Sequence, residues 1–193
     1  MAYEPLAYIG LFLVMITSME LLISNHLRLD IIALAVQYLA VFFLIMQAWP
    51  LGLAAVKLIT GWMAVALIVS VQIYRRESMD EVVPQTGQVF RLLVGVLVWV
   101  LIFSVTTSIT RWLPVPNIFL WSGMILIGIG LLQLSMSTIP LRNIFGLLTA
   151  FSGFEILYAA MENSVLVTSL LALITIGLAV IAAFYISPIQ EVV

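Results

Sequence analysis

The sequence predicts an all-α integral membrane protein of seven transmembrane helices. Three observations carry that prediction. Of 193 residues, 64% are hydrophobic and only 8% are charged, whereas a soluble domain devotes about a quarter of its residues to charge. Mean hydropathy is +1.26, so lipid rather than water is the solvent for most of the chain. Polar breaks then divide it into seven apolar stretches, each close to the ~20 residues a helix needs to cross the hydrocarbon. Barrel strands alternate polar and apolar residues; these stretches are apolar on every face, which is the pattern of buried helices.

In order, the stretches are 6–25, 30–48, 51–74, 90–110, 117–138, 143–162 and 164–187. The first follows a start, Met1 to Gly10, without a basic run, and no small-residue cleavage site follows it. It reads as a membrane helix of the mature protein, not a removable signal. Asn25 to Arg28 separates the first helix from the second. Trp49-Pro50 ends the second, because proline lacks the N–H an interior helical position donates. Arg75 to Gln88 is the one sizeable polar loop, carrying Glu77, Asp80, Glu81 and Pro84. Arg111 to Pro116 holds two prolines, Pro140 to Asn143 is a tight break, and Glu162-Asn163 sets a close hairpin before the last helix.

Basic residues in short loops set orientation. Arg28, Arg75, Arg76, Arg91 and Arg142 fall on one side and Arg111 on the other. The N-terminus is therefore expected outside and the C-terminus, Ser187 to Val193, in the cytoplasm. Leu27-Arg28-Leu29-Asp30-Ile31 is echoed by Leu141-Arg142-Asn143-Ile144, which suggests a 3+1+3 plan: two parallel three-helix units joined by the fourth helix.

Composition excludes much chemistry. Net charge is −2, leaving no basic surplus for nucleic acid. With no cysteine and a single histidine, disulfides, thiolate metal sites and multi-histidine centres are out. No nucleophile elbow, phosphate-binding Gly-Lys loop or paired metal-ligand spacing occurs. A catalytic site and a bound cofactor are not expected.

Function is then sought where ionisable groups fall in hydrocarbon, since each costs about 2.5–3.5 kcal/mol on insertion scales. Glu155 is the strongest, past the middle of the sixth helix. Burial penalises its charged form, so it either handles protons or bonds a neighbouring helix. Lys57 lies about two turns into the third helix, at a similar depth, where it either snorkels to the outer interface or pairs with a buried carboxylate. Glu20, toward the cytoplasmic end of the first helix, is either a proton relay or a partner of Arg28. Gln37 and Gln133, among the neutral polar residues that lie between, either hold water along such a pathway or bind neighbouring helices together. Gly123, Gly128 and Gly130 permit close helix approach without the small-xxx-small dimer spacing.

Two stretches resemble a known family. One is Met15-Ile16-Thr17-Ser18 with Ile23-Ser24 and Leu27-Arg28-Leu29, followed by Gln37. The other is Leu141 to Gly146, leading to Glu155. Together they resemble component E of hydrogenase-4. The last three helices are also similar to the K subunit of complex I and the C subunit of multisubunit cation/proton antiporters, with Gly153-Phe154-Glu155-Ile156 matching a Gly-Leu-Glu-Ile stretch around a pathway acid. The resemblance implies a cofactor-free membrane subunit, set beside antiporter-like and other membrane subunits in a bacterial or archaeal cytoplasmic membrane. Its buried charges would form part of an ion pathway.

The chain departs from that pattern in three places. Ile59-Thr60 is followed by Gly61 where component E would carry lysine, with Lys57 one turn earlier. Asn143 and Glu155 stand further apart than in the K subunit, setting the acid most of a turn deeper. Phe151-Ser152 replaces a Glu-Asn pair. Two other readings stand beside the ion-pathway subunit: a purely structural scaffold subunit, and a stand-alone small-solute transporter, for which the seven prolines, all near helix ends or in loops, give no broken helix.

Overall fold

A computed structural model describes residues 4–24, 26–74, 85–113, 115–162 and 164–186. Within them the chain forms seven α-helices: α1 (Glu4–Ile23), α2 (Leu27–Ile45), α3 (Leu51–Tyr74), α4 (Gln85–Ile109), α5 (Asn117–Met136), α6 (Pro140–Met161) and α7 (Val165–Ile186). All seven are long and apolar enough to cross a membrane, which is the architecture of an α-helical membrane protein. The expected loop acids Glu77, Asp80 and Glu81, together with Asn25, Asn163 and the segment Ser187 to Val193, lie outside the described residues.

Four helices begin earlier than hydropathy suggests. α1 starts at Glu4, α2 takes in Leu27 to Leu29, α4 takes in Gln85 to Val89 ahead of the expected stretch, and α6 starts at Pro140. A helix end needs no apolar side chain, only backbone bonding. Proline suits the first helical turn, where its missing N–H would have no partner anyway.

The α1–α2 and α5–α6 connections are built alike. Ser24 Oγ accepts the His26 N–H at 3.2 Å, and Ser137 Oγ accepts the Ile139 N–H at 3.2 Å. Each serine satisfies a backbone donor left over at the turn.

Packing follows three like-with-like contacts. α1 lies against α5, α2 against α6 and α3 against α7. Within each set of three, α1 packs on α2 and α2 on α3, as α5 packs on α6 and α6 on α7. α4 packs against α5 and α1 and presents Val89, Leu93, Leu97 and Val100 outward.

The α5–α6 pair is the closest, and glycine makes it so. A methyl group on Gly123 would fall 2.9 Å from the Gly153 carbonyl, and one on Gly130 would fall 2.6 Å from the Gly146 carbonyl. The glycines of each helix are seven residues apart and meet in antiparallel order. Gly128 instead faces α4, where a methyl would meet Val98 at 2.8 Å. Polar side chains converge where α2, α3, α6 and α7 meet, and that seam positions the site.

Candidate functional site: a buried polar seam

The seam has three levels, all with side chains projecting from α2 and α6. Its centre is an ion pair. Lys57 Nζ donates to Glu155 Oε1 at 2.6 Å and lies 2.5 Å from Oε2. It also donates to Thr175 Oγ1 at 3.1 Å, and that hydroxyl in turn donates to the Leu171 carbonyl at 3.1 Å. Lys57 is 4% exposed, Glu155 1% and Thr175 0%. The lysine therefore does not snorkel outward; its whole length is enclosed. Each charge is several kcal/mol costly to desolvate, and close pairing offsets that cost.

Aromatic rings close the site. The Lys57 ammonium lies 5.3 Å from the Tyr38 ring centroid and 6.0 Å from that of Phe151. Gly61, one turn after Lys57, is where α3 passes the Tyr38 ring; a methyl group there would overlap it. A lysine at 61 has no room in this chain. The amine comes from position 57 instead, on the same face of α3.

The second level lies about 9 Å along α6, six residues back from Glu155. Gln37 Nε2 donates to Thr149 Oγ1 at 3.4 Å, both residues fully buried. Between the two levels sit Ser152, donating to the Leu148 carbonyl at 2.8 Å, and Tyr38. Among the described residues, Gln37 Oε1, the Tyr38 hydroxyl and Glu155 Oε2 are buried without a well-aligned hydrogen-bond partner. Buried polar atoms rarely stay unsatisfied, and ordered water is the usual remedy.

The third level is another ion pair, one further pair of turns toward the α1–α2 and α5–α6 connections. Arg142 Nε lies 3.6 Å from Asp30 Oδ2, with Asp30 1% exposed. Nearby, Gln133 Nε2 donates to the Leu21 carbonyl at 3.2 Å.

Of the residues expected from sequence, Glu155, Lys57 and Gln37 come together on this seam, and Gln133 borders its end. Glu20 is half-buried in the last turns of α1, among the charges that act on Asp30. No ion pair joins it to Arg28, which is exposed. Sequence reading missed Asp30, Tyr38, Thr149 and Thr175. A signal existed for two of them: Asp30 and Gln37, like Arg142 and Thr149, are seven residues apart and so share one helix face.

No family model, curated protein or solved structure matches the chain.

Proposed function

We propose that this chain is a non-catalytic membrane subunit of a proton- or cation-translocating complex, and that the Lys57–Glu155 pair belongs to its ion pathway. The observation that carries the reading is the enclosed pair itself, an acid and a base joined through Nζ and Oε1 with Thr175 as third partner. A pair that only held helices together would be matched or bettered by apolar side chains. Ionisable groups retained in hydrocarbon mark ion routes by default. Tyr38, Ser152, Gln37 and Thr149 extend polar groups away from the pair along a single seam.

The architecture of that reading is 3+1+3. α1–α3 and α5–α7 form two parallel units related by a half-turn about an axis along the bundle. Support comes from a constant shift of 113 residues, the separation of Trp49 and Glu162, whose indole N–H and carbonyl bond at 2.9 Å. The same shift relates Ser24 to Ser137 in the two turns. It also relates Gly10, packed on Ala40 and Leu44, to Gly123, packed on Gly153 and Leu157. Both ion pairs bridge the units, so the pathway follows the seam between them. The N-terminus is outside, the C-terminus cytoplasmic, and the neighbours are antiporter-like and other membrane subunits. These placements follow the basic-loop count and the resemblance to hydrogenase-4 component E.

The scaffold reading has one observation in its favour: Lys57 and Glu155 satisfy one another's charge. Paired variants separate the two. Lys57→Met with Glu155→Leu removes both charges and keeps the volume roughly constant. The expected result is an assembled complex whose membrane vesicles no longer take up protons or sodium ions. Full uptake by the double variant would leave the scaffold reading standing.

A further inference from the structure

We propose that Asp30 and Arg142 form a second ion-handling site, a proton port at the α1–α2 and α5–α6 end of the bundle, in which Asp30 takes up a proton from water held against Arg142 and Gln133. The proposal rests on the ion-pathway reading above and assigns that pathway an opening.

The geometry of this pair differs from that of Lys57 and Glu155. At 3.6 Å the Arg142 Nε to Asp30 Oδ2 contact is too long for a direct hydrogen bond. Among the described residues Asp30 Oδ1 is buried without a well-aligned hydrogen-bond partner, the Ser24 side chain being the donor that acts on the carboxyl group. A carboxylate so enclosed needs donors, and separations beyond 3.5 Å are commonly bridged by water. Room for one lies against Arg142, which links it to Asp30; Asp30 itself does not line that space. A partly open cavity of about 10 Å³ is lined by Arg142, Gln133, Ser137 and Arg91, with Leu21 and Leu22 as its apolar wall. That is about the space one water molecule occupies, and the lining offers polar partners for it. Gln133 Oε1, buried and without a donor among the described residues, is a further acceptor there.

The port also faces the right direction. Asp30 and Gln37 share one face of α2, and Arg142 and Thr149 one face of α6, so the pair is the first step of the row that ends at Glu155. Uptake forms an O–H bond at Oδ1 and breaks one in a hydrated proton that reaches the cavity, leaving water behind. The pair then changes from neutral to singly positive, which would favour passing the proton inward to a carboxylate. Glu20 and His26 act on Asp30 from the neighbouring α1 end and turn.

Proton uptake by membrane vesicles carrying the whole complex tests this, with assembly checked on native gels. Asp30→Asn is expected to assemble and to slow uptake by at least about tenfold, while Asp30→Glu stays within about twofold, the pattern of a proton-transfer group. Glu155→Gln is the control for the pathway itself. Full uptake in Asp30→Asn with uptake lost in Glu155→Gln overturns the port and spares the pathway. Full uptake in both overturns the pathway reading. If Asp30→Asn fails to assemble, Gln133→Leu decides, because it strips the cavity wall and keeps the ion pair: slowed uptake supports the port, and an unchanged rate refutes it.

Discussion

Lys57 and Glu155 are each other's condition for being buried. Losing one leaves the other's charge uncompensated at 4% exposure or less, which costs about 3–5 kcal/mol. Glu155→Leu alone should therefore lower the yield of folded protein in detergent, and adding Lys57→Met should restore it; a double variant less stable than the single would contradict the pairing. Gly61 makes a second residue-scale case. Its Cα hydrogen faces the Tyr38 ring, and Gly61→Ala forces an added methyl into a filled space, at about 1–3 kcal/mol. Thermal unfolding of the purified protein should show that loss, and an unchanged midpoint would mean that α2 and α3 are not this close. Both acid and base were legible in sequence, because charge in an apolar run has few explanations. Thr175 and Tyr38 were not. A threonine or tyrosine within such a run is common, and only the folded seam distinguishes the one that faces a lysine.

At the scale of elements, α6 carries the seam and α5 fixes its place. Gly130 and Gly146, with Gly123 and Gly153, let the two backbones touch. Gly130→Leu should push α6 away, disrupting the seam and the assembly of the subunit, whereas Gly177→Leu on α7, where nothing lies within 4 Å, should be tolerated. Expression and monodispersity of the two variants compare these outcomes, and equal behaviour would count against the glycine contact. α2 and α6 also carry an apolar barrier. Leu34 and Phe145, both 0% exposed and packed in one cluster, stand between the Asp30–Arg142 level and the Gln37–Thr149 level. The account expects Leu34→Ala with Phe145→Ala to make vesicles leak protons passively, and a tight membrane would argue that the levels are not connected. The helices themselves were readable from hydropathy to within a few residues at most ends. Their starts were less so, since Arg28, Asp30 and Gln85 interrupt the apolar run but not the backbone hydrogen bonds. Close approach at Gly123 and Gly130 was legible, but their partners Gly153 and Gly146 were not, because seven-residue spacing on each helix has meaning only once the two are known to lie antiparallel.

For the whole molecule, each ion pair takes one member from the first three helices and one from the last three, which the proposed 3+1+3 plan would make its two units. The two similar stretches that suggest a repeat in the sequence, from Leu27 and from Leu141, are 114 residues apart, one off the 113-residue shift that relates the serines and glycines. The packing of Gly10 and Gly123 on equivalent neighbours supports the proposed plan better than the sequence does, because leucine and isoleucine substitute freely and erase likeness. Orientation is open to a direct check, since the chain has no cysteine of its own. Trp112→Cys, at a residue 89% exposed in the α4–α5 connection, should react with an impermeant thiol reagent from outside the cell, and His26→Cys only from the cytoplasm. The reverse pattern would invert the assignment of both ends. The central claim is that Glu155 changes protonation as ions move. Infrared difference spectroscopy of the assembled complex, recorded between resting and turning-over states, observes this at the carboxyl group itself. The account predicts a carboxyl-stretch signal that vanishes in Glu155→Gln; a difference spectrum unaltered by that substitution, in a complex that still translocates ions, would contradict it.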